Sequence, residues 1–340
     1  MTLPREITAF LAAHGWDGAD ALPLAGDASH RRYMRLHRGA ESAVLMIAPP
    51  GLELVEPFVA VGRYLAGLGL SVPAIRGVDA AHGLVLLEDL GDLSFVAALN
   101  AGHDEAELYA AATDVLARVH REPAPDSLPA GDAVHTLPRY SDARMQREVD
   151  LVLEWYWPAV AGGPVPESIA AEWRAAWASV WPLAWHDTPV LVQFDYHSPN
   201  LLWLPERDGL RRVGVLDFQD SLHAPAAYDV VSLIQDPRRD VRAGLEPVLI
   251  ERYLAARPEV EASAFRTAYA VLGAQRASRI LGVFVRLWQR DGKPGYLRHQ
   301  PRVWALLSRN LEHPALAPVK AWFDAHMPEG WRAARWRDAA

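Results

Sequence analysis

The chain has 340 residues, 51% of them hydrophobic, with a formal net charge of −8, a pI near 5.9 and no cysteine. Such a length is long for one core and suits two lobes. The negative field argues against a nucleic-acid groove or an anionic membrane surface as partner, and the missing cysteines exclude a disulfide framework, a thiolate metal site and a thiol nucleophile.

The first residues, MTLPREITAFLAAHGW, contain Glu6 and no apolar run of signal-peptide length, and no later window approaches about 18 uninterrupted apolar residues. The expectation is therefore a cytoplasmic protein with no membrane and no nucleic-acid partner, and nothing calls for an obligate protein partner. Of the 34 basic residues only Lys293 and Lys320 are lysines.

Ile7 to His14 has the spacing of a short amphipathic helix, and residues 21–24, 33–36 and 43–47 alternate or cluster as strands. Between the first two strands lies Gly26-Asp27-Ala28-Ser29-His30-Arg31-Arg32. Its small, then basic, composition suits either a loop that lays backbone N–H groups and Ser29 against phosphate or an ordinary hairpin turn. Residues 54–68 predict a helix, and 72–78 and 84–87 two further strands. Glu88-Asp89-Leu90-Gly91-Asp92 follows and helical signals then take over, so the expected division is 1–91 and 92–340 with a hinge near 88–92. That hinge reads equally as a backbone edge for a nucleotide base or as a solvated acidic turn.

Beyond Ser94 the chain is mostly helical, with 105–120, 141–156, 167–181 and 262–290 the clearer segments. Twelve of the 13 tryptophans fall after residue 150 and predict a large apolar core there. Tyr228 to Leu233 reads as a helix entry, with Asp229 either favoured by the helix dipole or acting as a buried brace for the loop that carries Asp195. Thirteen histidines without paired metal spacing give no zinc site.

Residues 189–220 hold three oxygen-bearing side chains at telling spacings. Residues 190–192 predict a buried strand ending in the polar loop FDYHSPN. Residues 201–204 and 212–216 predict an antiparallel pair turned at Asp208-Gly209. Asn200 and Asp217 then share one mouth of a hairpin, where an amide oxygen and a carboxylate can hold Mg²⁺. Asp195 lies five residues earlier on the same loop. A carboxylate for the acceptor hydroxyl and two oxygen ligands for metal are what phosphoryl transfer requires of a protein.

With these motifs in order, the chain resembles the aminoglycoside phosphotransferase and choline kinase superfamily. Within it, PLAGDASHRRYMRL, VLMIAPP, LLEDLGD, FDYHSPNLL, GVLDFQD, APAAYDVVSL and RDGKPGYL look like the bacterial cell-wall-recycling kinases that phosphorylate N-acetylmuramate and N-acetylglucosamine at the anomeric hydroxyl. The resemblance covers most of the chain. It implies an α+β, two-lobed protein-kinase-like fold, with a small sheet-rich N-lobe and a larger helical C-lobe. It also implies ATP and Mg²⁺ as cofactors and an amino sugar as substrate. Asp195 would be the catalytic base, Asn200 and Asp217 the metal ligands, Gly26 to Arg32 the phosphate loop and Glu88 to Leu90 the adenine-facing hinge. His197, Gln219 and Asp220 would approach the sugar.

Two departures stand out. Relatives commonly carry His two residues before the base, whereas Gln193 and Phe194 precede Asp195 here. The fold usually places a lysine on its third strand to hold phosphates, yet Met46 stands about there and the N-lobe has no lysine; Arg31, Arg32 and Arg35 are the nearest cations. The alternatives are an aminoglycoside or amino-alcohol kinase, or a catalytically silent nucleotide-binding scaffold.

Overall fold

The computed structural model describes residues 3–24, 30–185 and 187–333. In chain order it holds α1 (Arg5–Ala13), β1 (Asp20–Pro23), β2 (Arg32–Arg38), β3 (Glu41–Ile47), α2 (Glu56–Gly67), β4 (Ile75–Asp79), β5 (Leu84–Glu88), α3 (Phe95–Asn100) and α4 (Glu105–Val119). Then come β6 (Ser127–Ala130), β7 (Ala133–Thr136), α5 (Asp142–Val149), a π-helical turn (Val152–Tyr156), α6 (Trp157–Ala161), α7 (Glu167–Ala178), β8 (Val190–Val192), β9 (Leu201–Trp203), β10 (Val213–Val215) and β11 (Leu222–Ala224). The remainder is helical: α8 (Ala227–Ile234), α9 (Leu245–Ala256), α10 (Ala262–Gln289), α11 (Gln300–Leu311), α12 (Ala317–His326) and α13 (Glu329–Arg332).

Two compact units are interleaved in this order. One comprises the described residues of Met1–Val119, Pro125–Pro138 and Gln193–Ser221; the other those of His120–Ala124, Arg139–Val192 and Leu222–Ala340. The division expected at residue 91 is thus a division of sequence, whereas α3, α4 and the segment carrying Asp195 group with the sheet.

The first unit is built on an antiparallel sheet of order β1-β2-β3-β5-β4. Strand alternation decides its two faces. Met34, Leu36, Ala43, Leu45, Ile47, Leu84 and Leu86 bury one face with Ile7, Phe10 and Leu11 of α1. Tyr33, Arg35, Val44 and Leu87 fall on the other, which is the face that lines a cavity. A short hairpin, β9 with β10, pairs Leu201 with Val215 and Trp203 with Val213. It is fastened to the sheet's flank by bonds from Val215 N to Ser71 O (2.8 Å) and from Trp203 N to Leu93 O (2.7 Å). The return is longer than an Asp-Gly turn, because a 3₁₀ turn at Gly209–Arg212 intervenes.

The second unit is helical around the 28-residue α10, about 42 Å long at the usual rise. The expected helix over 141–156 is interrupted by the π turn. Tryptophans do form its core: Trp173 packs on Trp177, Trp322 and Phe323 at 4.5–5.6 Å between ring centres. Trp157 also joins this packing, against Trp322 and Trp331. β8 pairs with β11, a strand the sequence reading did not foresee, as it did not foresee the β6–β7 hairpin. Among the described residues no helix is long and apolar enough to cross a membrane.

Candidate active site

The strand β8 delivers the chain into a loop whose backbone is tightly bonded to itself. Phe194 adopts φ +71°, and amides of Asp195 and His197 bond back to Gln193 O and Asp195 O at 2.9 and 3.1 Å. Left-handed backbone at a bulky residue costs about 1–2 kcal/mol, which burial of the Phe194 ring outweighs, since truncating a buried Phe costs about 3–5 kcal/mol. Tyr196 is buried and its hydroxyl donates to Ala112 O of α4 at 3.0 Å. This tether braces the loop that carries Asp195.

Asn200 closes the loop. Its amide nitrogen donates to Asp195 O at 3.0 Å and to Asp217 Oδ2 at 3.2 Å, while Leu216 N bonds its backbone oxygen at 2.9 Å. Asn200 and Asp217 are therefore brought together as expected, at the hairpin mouth. Asp217 itself takes φ +58°. Phe218, next in the chain, is buried against Phe58 of α2, 4.8 Å between ring centres, and a Cβ on Gly62 would meet that ring at 3.2 Å. So α2 fixes the backbone that presents Asp217.

These two residues end a cavity of about 330 Å³, within the usual size of a small-ligand site. Tyr33, Arg35, Val44 and Leu87 of the sheet, Phe58 of α2 and the segment Glu88–Asp92 complete its wall. Each predicted hinge residue is accounted for differently. The Glu88 carboxylate is engaged by Arg207 at 2.7 Å and by Ala74 N at 3.3 Å, with Arg207 also bonding Ser71 Oγ. Asp89 pairs with Arg35. Leu90 lines the cavity.

Arg35 is the lining cation that alternation turns inward. Its Nε and Nη2 lie 2.9 and 3.1 Å from Asp89, and its Nη1 and Nη2 lie 2.6 and 2.8 Å from Asp92. The hydrogen bond with Asp92 leads in pushing the guanidinium up, against some loss to burial, and Arg35 in turn holds the Asp92 carboxyl below its ordinary range. Arg32, of opposite strand parity, is exposed, and Met46 is fully buried at the lysine's expected position. Arg31 pairs with Glu53 at 2.9 Å, and Glu53 also accepts the backbone N–H of His30 at 3.1 Å. Gly26, Asp27, Ala28 and Ser29 lie outside the described residues.

Of the expected sugar contacts, Gln219 donates to Asp217 Oδ1 at 2.6 Å. His197 is buried and Asp220 exposed. Asp92, Glu53, Tyr196 and Arg207 were missed as site residues, because each acts through a partner distant in sequence. Asp229, fully buried on α8, stands 3.4 Å from Nε2 of His120, whose Nδ1 meets Tyr253 Oη at 2.9 Å. Asp229 lies in the first turn of α8, where the helix dipole favours a carboxylate, and the contact seen here is with His120. Among the described residues no group of three or more acidic or histidine side chains is placed to hold a metal.

Proteins of known name align over nearly the whole chain. An N-acetylmuramate/N-acetylglucosamine kinase of Caulobacter vibrioides is 41% identical over 96% of this chain and 99% of its own. One of the same name from Pseudomonas aeruginosa is 34% identical over 94% and 93%. Among solved structures, a choline/ethanolamine kinase family protein from Mesorhizobium loti aligns with a TM-score of 0.60 at 18% identity, covering 93% of this chain and 98% of that one. The GDP complex of aminoglycoside 2'-phosphotransferase-IIIa gives 0.59 at 14%, covering 90% and 98%. These structural likenesses are of fold, and they bear out the α+β protein-kinase-like class. Residues 20–264 match the family model for phosphotransferase enzymes, and the chain belongs to that family.

Proposed function

We propose that the chain is an ATP-dependent kinase acting on the anomeric hydroxyl of N-acetylmuramate and N-acetylglucosamine. The observation that carries this is the Asn200–Asp217 couple at the end of a nucleotide-sized cavity, with Asp195 bonded into the same loop. The acceptor comes from the names of relatives that align over nearly the whole chain.

The donor set fits Mg²⁺. Asn200 spends its amide nitrogen on Asp195 O and Asp217, which leaves the amide oxygen as a hard donor beside a carboxylate. Mg²⁺ takes one or two such protein oxygens and completes its shell with water and phosphate. When bound with ATP it would neutralise phosphate charge in a cavity lined by Glu88, Asp89, Asp92 and Asp217 with Arg35 as counter-charge. The Gln219 amide holds one oxygen of Asp217, so the carboxylate is oriented before any ligand arrives.

Asp195 has the proton-accepting role. The sugar oxygen forms its bond to the γ-phosphorus as the bond from that phosphorus to the β–γ bridging oxygen breaks, and the hydroxyl proton passes to the Asp195 carboxylate. Positioning dominates such chemistry. Backbone groups of Leu90, which no other segment engages among the described residues, suit the edge of the adenine ring.

The test is the product. Phosphorus and proton NMR of the compound formed from MgATP with each sugar should show phosphate on C1. Phosphate on C6, or turnover confined to choline or an aminoglycoside run alongside, refutes the acceptor. Nucleotide binding without turnover on any acceptor refutes the enzyme reading.

A further inference from the structure

Among the described residues, Arg35 is the one cation lining the cavity, and its edges are already engaged. Nη1 and Nη2 donate to the two oxygens of Asp92 at 2.6 and 2.8 Å, and Nη2 also donates to Asp89 Oδ1 at 3.1 Å. Nε stands 2.9 Å from Asp89 Oδ2, too poorly aligned to count as a hydrogen bond. A bidentate carboxylate of this kind fixes the plane of a guanidinium. What remains for a ligand is the flat face, which stacks on aromatic rings where an ammonium has no plane to offer.

The strand register sets that guanidinium in a row. Arg35 of β2 is opposite Val44 of β3, and Val44 is opposite Leu87 of β5. All three line the cavity, and three adjacent strands span about 10 Å, enough to lie along a two-ring base. Leu90, Leu202 and Leu216 add further apolar wall. Gly214 lets the hairpin come close, since a Cβ there would meet Leu202 at 3.1 Å and Leu90 at 3.4 Å.

Charge separates this end of the cavity from the end formed by Asn200 and Asp217. The single positive charge of Arg35 faces two carboxylates, Asp89 and Asp92, which leaves a net charge of −1, while Glu88 is balanced by Arg207. A phosphate chain brought here would meet a surplus of negative charge, with the donors of Arg35 already turned to the carboxylates. A neutral purine meets no such repulsion, and its π-face attracts a cation.

We propose that Arg35 is the base-stacking residue of this cavity: its guanidinium face lies on the purine ring of ATP, Val44 and Leu87 continue the same surface, and the phosphates do not touch it. This assignment rests on the reading of the cavity as the ATP site. It also means that Arg35 does not replace the phosphate-holding lysine that the small lobe lacks.

The experiment divides the nucleotide into its two halves. Calorimetry measures adenosine, which has no phosphate, and magnesium tripolyphosphate, which has no base, on the parent and on Arg35→Lys, which keeps a charge beside Asp89 but has no plane. A second comparison sets the double variant Asp89→Asn with Arg35→Met against Asp89→Asn alone, so that no buried carboxylate is left unpaired, and hydrogen exchange of β2 and β5 verifies that each variant is folded. In both comparisons adenosine should bind about five- to fifty-fold more weakly, the scale of one base-stacking contact, with tripolyphosphate within about twofold. Tripolyphosphate weakened with adenosine unchanged would make Arg35 a phosphate ligand and overturn the proposal. Equal losses on both halves would mark a structural role and overturn it too, as would no change on either or a parent that binds no adenosine. A parent that shows the expected split, binds ATP and phosphorylates neither sugar would sink the sugar-kinase reading and leave the stacking assignment standing.

Discussion

Replacing Arg35 with Met should destabilise the sheet unit through one of its two partners far more than the other. Asp92 has a side chain 76% exposed and Asp89 one only 8% exposed, while Arg35 is 17% exposed. Freed from Arg35, Asp92 returns to water, and such a surface pair contributes about 0–1 kcal/mol. Asp89 keeps the N–H of Gly91 at 3.0 Å but becomes a nearly buried carboxylate without a counter-ion. Breaking a fully buried pair from one side costs about 3–5 kcal/mol; with water reaching Arg35, about 2–4 kcal/mol is the fitting range here. Met retains the apolar stem, so packing loss is small. Hydrogen exchange of β2 and β5 amides reports this unit by itself. Arg35→Met should show a loss of about 2–4 kcal/mol and Asp92→Asn about 1 kcal/mol or less, and Arg35→Met with Asp89→Asn should recover more than half of the loss. If Asp92→Asn proved as harmful as Arg35→Met, or if Asp89→Asn restored nothing, the ranking by burial would be wrong.

Asp195→Asn should lower kcat by roughly 10²–10⁴-fold, the range for a lost general base, with calorimetric MgATP binding unchanged; parent-like turnover would remove Asp195 from the role. Asp217→Ala should weaken Mg²⁺-dependent ATP binding by roughly ten- to hundred-fold while leaving metal-free ATP binding alone, and equal affinities in a magnesium titration would contradict the ligand assignment. Burial pushes the His120 imidazole down, with Asp229 opposing. The unfolded chain therefore takes up the proton first. The contribution is fully present above about pH 6.5 and is lost as pH falls below it. His120→Gln should shrink the difference in urea midpoint between pH 7.5 and 5.5, and an unaltered difference would place the pH dependence elsewhere.

The parts of the site legible in the sequence are those made locally. Asp195, Asn200 and Asp217 lie within 23 residues of one another, and the turn formers between β9 and β10 declare the hairpin that joins the last two. Arg35 was visible as a cation near the phosphates, but its partners stand 54 and 57 residues later, and no periodicity in either segment points to the other. Arg207 reaches Glu88 across 119 residues for the same reason. β11 escaped notice because three residues including His223 carry no strand signal until β8 supplies a partner. Pro129 and Gly131 hid the β6–β7 hairpin in the same way. The π turn is invisible to a helical count, since its residues keep an ordinary apolar spacing. Gln219 was read for the sugar alone, and its bond to Asp217, only two residues away, has no signature in the sequence.

The left-handed backbone at Asp217 has a bearing on how this protein would respond to laboratory evolution. Glycine and asparagine hold that conformation readily, but glycine would leave the amides of Asn200 and Gln219 without their acceptor, whereas asparagine keeps one oxygen for them. A library selected only for survival of heating would thus tolerate Asp217→Asn. The survivors would include variants that had discarded the proposed metal-binding carboxylate. Screens for heat-resistant forms of this chain therefore need turnover as a second filter, with position 217 held fixed.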